Sequence, residues 1–295
     1  MSEPIYVIGF PKSGNTWLVR LLADALQARV RSHVMRGSPE LAAEINERLG
    51  LPTDTKCTIA KIHFLPAMFL EEIDQTPKRI AYIYRDFRDV AVSAYFYFNN
   101  CNEADMQLSD FFSLLARGPW SLFNYHRNRK KMVSYIENLC RGNLEWFREF
   151  TGTWSQHINE WRDMMTQRSD VRFIFVSYEE LLDDTASTLL QIIQQLALPE
   201  PSAARLHCAI ERQSLQALKR HFQEIPSRAN IPFTKEFNLK FLRKGKSGDW
   251  RNFLSSQMGQ IIQKHQGEML FDLGYETDPT WYERIPGKGS SSSVT

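Results

Sequence analysis

The stretch Tyr6-Val-Ile-Gly-Phe-Pro-Lys-Ser-Gly-Asn-Thr-Trp17 constrains this chain more than any other. Ile5 to Ile8 is an apolar run of the kind a buried strand needs, and Leu18, Leu21, Leu22 and Leu26 recur on one helical face. Between them lies a turn with Gly9, Pro11 and Gly14. A strand, a glycine-bearing turn and a helix N-terminus make an anion site, because backbone N–H groups and the helix dipole converge on one point. Lys12 and the hydroxyls of Ser13 and Thr16 add donors suited to phosphate-like oxygens.

The pattern approaches the phosphate loop G-x-x-x-x-G-K-[ST], with Gly9, Gly14, Asn15 and Thr16 in its slots. Asn15 stands where that loop keeps its lysine, and Lys12 sits earlier. Such a loop cradles a phosphate but lacks the side chain that reaches the β- and γ-phosphates of ATP, which speaks against a small-molecule kinase. The rest of the chain supplies the matching architecture. Apolar runs at 57–62, 79–84 and 171–176 read as further strands. Helical patterns follow at 39–49, 66–72, from 86 onward, at 178–182 and at 189–196. Strands alternating with helices predict an α/β fold in three layers, a central parallel sheet flanked by helices. Ligands of such sheets sit at the carboxyl ends of the strands, so the loops at Phe10, His63 and Arg85 are expected to share one crevice.

Residues 1–285 read as a single domain, with a helical or loop insertion at about 99–151 forming a lid or acceptor-site wall, and 286–295 as a disordered tail. Lys+Arg 36 against Asp+Glu 34 leaves a net charge of +2, so no overall field directs the chain to nucleic acid or a membrane. No run approaches the ~20 apolar residues of a membrane span. The four cysteines form no C-x-x-C pair and no metal-ligand spacing, which suits reduced thiols in a cytoplasmic protein. The basic run His126-Arg-Asn-Arg-Lys-Lys131 reads as a solvated face, with docking of a carrier-protein-bound acceptor as the other option.

Three further stretches carry chemistry. Lys61-Ile-His63 follows the second strand and brings a group able to take a proton near neutrality to the mouth of the crevice. Arg85 ends a strand, and Ser93 lies eight residues on. Arg243-Lys-Gly-Lys-Ser-Gly-Asp-Trp250 is a basic, glycine-broken loop before a helix that Asp249 or Ser247 is expected to cap. Together these stretches resemble the cytosolic-type sulfotransferases, over about residues 5 to 275. The resemblance implies 3′-phosphoadenosine 5′-phosphosulfate (PAPS) as donor and adenosine 3′,5′-bisphosphate as product. Lys12, Ser13, Gly14, Asn15, Thr16 and Trp17 resemble the family's 5′-phosphosulfate loop, with Lys12 on the bridging oxygen and Trp17 near the adenine. Lys61 and His63 resemble its K-x-H element, which implies His63 as catalytic base. Arg85 and Ser93 resemble the 3′-phosphate site. Tyr178 resembles the adenine-contacting tyrosine. Arg243, Lys244 and Gly245 with Gly248-Asp249-Trp250 resemble the R-K-G-x-x-G-D-W signature.

A sulfuryl group in transfer carries less negative charge than a phosphoryl group, and no metal site is expected. Lys12 would stabilise charge developing on the leaving phosphate, and Lys61 and Ser93 are expected to act beside it. His63 would deprotonate an acceptor hydroxyl or amine held in line with sulfur. The family's Thr-Ser-Phe stretch aligns with Gln213-Ser214-Leu215, which keeps Ser214 as a cofactor contact. Its dimer motif aligns poorly with Arg251, Ser255, Ser256 and Gln260, so no dimer is carried over. The acceptor reads as a small molecule, a natural-product intermediate included. Its identity is left open, as is the choice between oxygen and nitrogen.

Overall fold

Ile5–Ile8 (β1) is the middle strand of a parallel sheet in the computed structural model, where five strands run in the order β2-β3-β1-β4-β5. The others are Arg29–Arg31 (β2), Thr58–Ile62 (β3), Arg79–Tyr84 (β4) and Arg172–Ser177 (β5). The structure describes residues 4–31, 39–51, 57–99, 106, 119–224, 242 and 244–285. Ile5 pairs with Ile59 on one side and Arg79 on the other, and Ile8 with Ile62 and Tyr82. All four β1 residues are at most 2% exposed, as a central parallel strand covered on both faces requires. The edge strand Arg29-Val-Arg31 has no counterpart in the sequence-based expectation. Three residues with two arginines make no apolar run, and the strand is defined by its pairing with β3.

The described helices are α1 (Asn15–Leu26), α2 (Pro39–Arg48), α3 (Pro66–Glu72), α4 (Phe87–Asn99), α5 (Pro119–Cys140), α6 (Glu145–Phe150), α7 (Trp154–Gln167), α8 (Tyr178–Asp183), α9 (Thr185–Gln195), α10 (Ala203–Arg212), α11 (Leu215–Glu224) and α12 (Ser256–Asp272). Alternate strand residues face opposite sides of the sheet. Ile5, Val7, Ile59, Ile83 and Val176 form an aliphatic cluster with Leu18 and Leu22 of α1, Ile192 of α9 and Leu206 of α10. The opposite face is aromatic. Tyr6 meets Phe69 edge-on at 4.9 Å, Phe69 meets Trp161 at 5.4 Å, and Tyr82 stacks on Phe175 at 4.5 Å. From β1 the chain runs through β2 to β3 on one side, then crosses to β4 and β5 on the other. The strand order therefore reverses at β1, and the loops after β1, β3 and β4 open at the position where such sheets hold ligands.

The chain divides into two compact units, Met1–Arg85 with Gln156–Lys246, and Asp86–Ser155 with Ser247–Thr295. The first holds the sheet. In the second, α12 packs against α4 and α5. The Gln266 carboxamide of α12 donates to the Cys140 carbonyl at 3.0 Å and accepts from Ser155 N–H at 3.2 Å. Arg88 is buried between the rings of Trp250 (4.3 Å) and Trp281 (4.8 Å) and is paired with Asp86 and Glu276. The span at about 99–151 contains α5 and α6, while 100–105, 107–118 and the tail 286–295 lie outside the described residues. Neither Asp249 nor Ser247 caps a helix. Asp249–Asn252 is a 3-10 turn entered through Gly248 at φ 77, without a side-chain cap. The helix that follows, α12, is capped by Ser255, whose hydroxyl accepts from Met258 N–H at 3.4 Å.

Candidate active site

The turn after β1 is held open by backbone geometry. A Cβ on Gly9 would lie 2.1 Å from the Ile83 carbonyl oxygen, so only glycine lets β1 and β4 approach this closely at their ends. Gly14 enters α1 at φ 103, and a Cβ there would lie 2.6 Å from the Tyr178 ring. Lys12 holds φ 72, a left-handed conformation that disfavours a side chain by ~1–2 kcal/mol. No side chain caps the N-terminus of α1. The Ser13 hydroxyl and both side-chain polar atoms of Asn15 are buried with no hydrogen-bond partner among the described residues. Each such atom costs about 1–3 kcal/mol; the Ser13 hydroxyl and the Asn15 amide N–H are donors of the kind an anion accepts from, whereas Asn15 Oδ1 only accepts. Strain, orphaned donors and an uncapped helix start therefore coincide at one loop.

Lys61 and His63 extend from β3 over this loop. Lys61 Nζ donates to the Thr16 hydroxyl at 3.3 Å. Burial, reinforced by the charge of Arg20, lowers the Lys61 pKa to about 8. The His63 Nδ1 lies 2.7 Å from the Gly9 carbonyl oxygen. A carbonyl only accepts, so Nδ1 carries the proton and the lone pair sits on Nε2. Burial first, then the charge of Lys61, hold the His63 pKa down to about 3, against the raising effect of the Gly9 bond. The ring is therefore neutral across the physiological range, in a defined tautomer.

A second group surrounds Tyr178, at the start of α8. Trp17 meets its ring edge-on at 5.8 Å, and the Arg85 guanidinium lies 4.3 Å over it. Arg85 Nη2 donates to the Lys246 carbonyl at 2.8 Å, which ties the loop holding Lys244 and Gly245 to the end of β4. Gly245 adopts φ 59, and a Cβ there would lie 2.9 Å from Leu215. The Ser214 hydroxyl accepts from Ala217 N–H at 3.2 Å, at the start of α11. Lys12 through Trp17, Lys61, His63, Arg85, Tyr178, Ser214, Lys244 and Gly245 thus all belong to the first unit. Ser93, half-buried on α4, belongs to the second, and Arg243 lies outside the described residues.

Sequence reasoning missed residues that act through others. The Trp17 indole donates to the Gln213 carbonyl at 3.0 Å, and the Gln213 carboxamide donates to buried Asp24 at 2.7 Å. Asp89 accepts from Gly248 N–H at 2.7 Å and Trp250 N–H at 2.9 Å, fixing the Gly-Asp-Trp turn in the second unit. An aspartate two residues into a helix reads locally as an ordinary N-terminal acid.

A sulfotransferase domain family matches residues 2–274. Sulfotransferase 2A1 of Macaca fascicularis is 27% identical over 283 residues, covering 94% of this chain and 87% of that protein. The mouse sulfotransferase SULT7A1, solved in complex with PAP, matches with a TM-score of 0.61 at 20% identity, over 92% of this chain and 87% of that one. Retinol dehydratase, solved with androsterone and the inactive cofactor PAP, matches with a TM-score of 0.51 at 20% identity, over 91% and 81%. The two structural likenesses bear on the fold, and the family match spans every strand of the sheet. The chain belongs to the sulfotransferase family.

Proposed function

We propose that this chain moves the sulfuryl group of PAPS to a hydroxyl or amine-type nitrogen of a small molecule, a natural-product intermediate included, in the cytoplasm. PAPS supplies an activated sulfuryl group on a phosphate leaving group. The observation that carries the reading is the His63 tautomer. With its proton on Nδ1 and bonded to the Gly9 carbonyl, the ring presents Nε2 as a base beside an anion-binding loop. His63 takes the acceptor's proton. Lys12 and Lys61 hold positive charge against the leaving phosphate, while Ser13, Gly14, Asn15 and Thr16 bind its oxygens. Trp17 and Tyr178 flank the adenine. Arg85, Ser93, Ser214, Arg243, Lys244 and Gly245 hold the 3′-phosphate, where a guanidinium fork matches the oxygens and stays charged. Residues 1–285 act as one catalytic domain, with the span at about 99–151 as a wall of the acceptor site.

Thermal melting tests the donor. Adenosine 3′,5′-bisphosphate at about 100 times its Kd stabilises by ~2.7 kcal/mol, a rise of roughly 4 °C for a chain of this size. ATP with magnesium gives no comparable rise. The reverse order replaces the sulfotransferase reading with a kinase. His63→Ala abolishes transfer and keeps the nucleotide-induced rise in Tm; near-wild-type transfer removes His63 as the base.

A further inference from the structure

Two buried polar side chains on the aromatic face of the sheet have no part in that chemistry, Tyr82 on β4 and His157 on α7, both 0% exposed. The Tyr82 hydroxyl lies 2.6 Å from His157 Nδ1, and His157 Nε2 lies 3.1 Å from the His63 carbonyl oxygen. That carbonyl only accepts, so Nε2 of His157 carries the proton, Nδ1 carries the lone pair, and the Tyr82 hydroxyl donates to it. Burial lowers the His157 pKa to about 4, which keeps the ring neutral. Four residues along α7, the Trp161 indole donates to the Phe64 carbonyl at 3.0 Å. One face of α7 therefore grips two successive carbonyls of the loop after β3. From the other side, the His63 ring grips the Gly9 carbonyl at 2.7 Å.

We infer that His157, held in one tautomer by Tyr82, is a positioning residue for His63. It fixes the His63 main chain so that Nδ1 stays on the Gly9 carbonyl and Nε2 stays the proton-accepting atom. This rests on His63 being the base. A side chain that only fills space meets the packing demand. Positioning needs a donor at the location of Nε2 and an acceptor at Nδ1.

The test uses the full chain with 15N-labelled histidine, bound to adenosine 3′,5′-bisphosphate, together with turnover of PAPS and 2-naphthol as the probe acceptor. In the wild type the ring nitrogens report Nδ1–H for His63 and Nε2–H for His157. A glutamine amide reaches the position of Nε2, whereas an asparagine amide reaches only that of Nδ1. His157→Gln therefore keeps the His63 signals and a kcat within about threefold, while His157→Asn mixes the His63 tautomers and lowers kcat about 10- to 100-fold, with the KM for PAPS within about twofold. Tyr82→Phe removes one oxygen with little change of packing; it shifts His157 toward Nδ1–H and lowers kcat in the same direction. Equal kcat and identical His63 signals in His157→Gln and His157→Asn overturn the proposal, and the spectra alone decide where 2-naphthol is not turned over. His63→Ala separates the two readings. Transfer surviving there refutes the base itself, whereas transfer lost there but intact in His157→Asn refutes only the positioning role.

Discussion

Lys61 gives the most quantitative consequence of this geometry. Its ammonium sits over the first turn of α1, with Nζ 3.3 Å from the Thr16 hydroxyl, and burial with the charge of Arg20 brings its pKa to about 8. A nucleotide bearing phosphates brings the opposite charge, so the bound protein keeps the Lys61 proton to higher pH than the free protein does. The sign follows from proton counting. Below the free-state value Lys61 is charged in both states, and affinity is independent of pH on its account. Above it, binding takes up a proton, and log K falls as pH rises, with a slope approaching one. With a free pKa of about 8, the charged fraction falls from about ten-elevenths at pH 7 to about one-eleventh at pH 9. Affinity for adenosine 3′,5′-bisphosphate therefore weakens about tenfold over that interval, or ~1.4 kcal/mol. Calorimetric titrations at pH 7, 8 and 9, in two buffers of different ionisation enthalpy, count the protons directly. Lys61→Met binds more weakly at pH 7 and lacks the slope. An equal slope in Lys61→Met, or no proton uptake by the wild type at pH 9, refutes the reasoning.

Other substitutions report on single contacts. Gly9→Ala forces a Cβ to within 2.1 Å of the Ile83 carbonyl oxygen, and strand ends that must part displace the carbonyl that orients His63. Stability falls by about 1–3 kcal/mol and turnover by at least about tenfold, read from melting curves and initial rates. Asp89→Asn turns one acceptor of the Gly248 and Trp250 amides into a donor, for a loss of about 1–3 kcal/mol read as a lower urea midpoint with m unchanged. Arg85→Lys gives up the guanidinium 4.3 Å over Tyr178 and weakens adenosine 3′,5′-bisphosphate binding by about 0.5–2 kcal/mol, measured by titration.

The parts of the site that were legible in the sequence are those whose cause is local. A strand, a glycine turn and a helix start lie within one short window, and Lys61 and His63 stand at a strand end, so their neighbourhood follows from sheet topology alone. What was not legible depends on partners distant in the chain. Nothing near Gly9 shows that Ile83 bars a Cβ, and nothing near His157 shows that it will bond Tyr82, 75 residues earlier. Arg29–Arg31 becomes a strand only because β3 offers an edge. The expected cap at Asp249 failed because the turn there is set by Gly248 and by Asp89, whose carboxylate accepts the Gly248 and Trp250 amides.

The two faces of the sheet divide the work of the site. The aliphatic face anchors α1 through Leu18, Leu21 and Leu22, and α1 in turn places its uncapped N-terminus beside the turn after β1. Aliphatic packing fixes a helix well but offers nothing to a carbonyl. The loop after β3 leaves the carbonyls of His63 and Phe64 facing the protein interior, and a second aliphatic face would leave both unsatisfied at about 1–3 kcal/mol each. The aromatic face answers this with large rings that still carry a donor, the His157 imidazole and the Trp161 indole, backed by the Tyr82 hydroxyl. Apolar residues of the same size there would preserve the core and leave the His63 main chain without its hydrogen bond. Hydrophobic burial alone therefore does not account for His157, Trp161 and Tyr82 on that side of the sheet, because each carries a polar atom matched to a partner there.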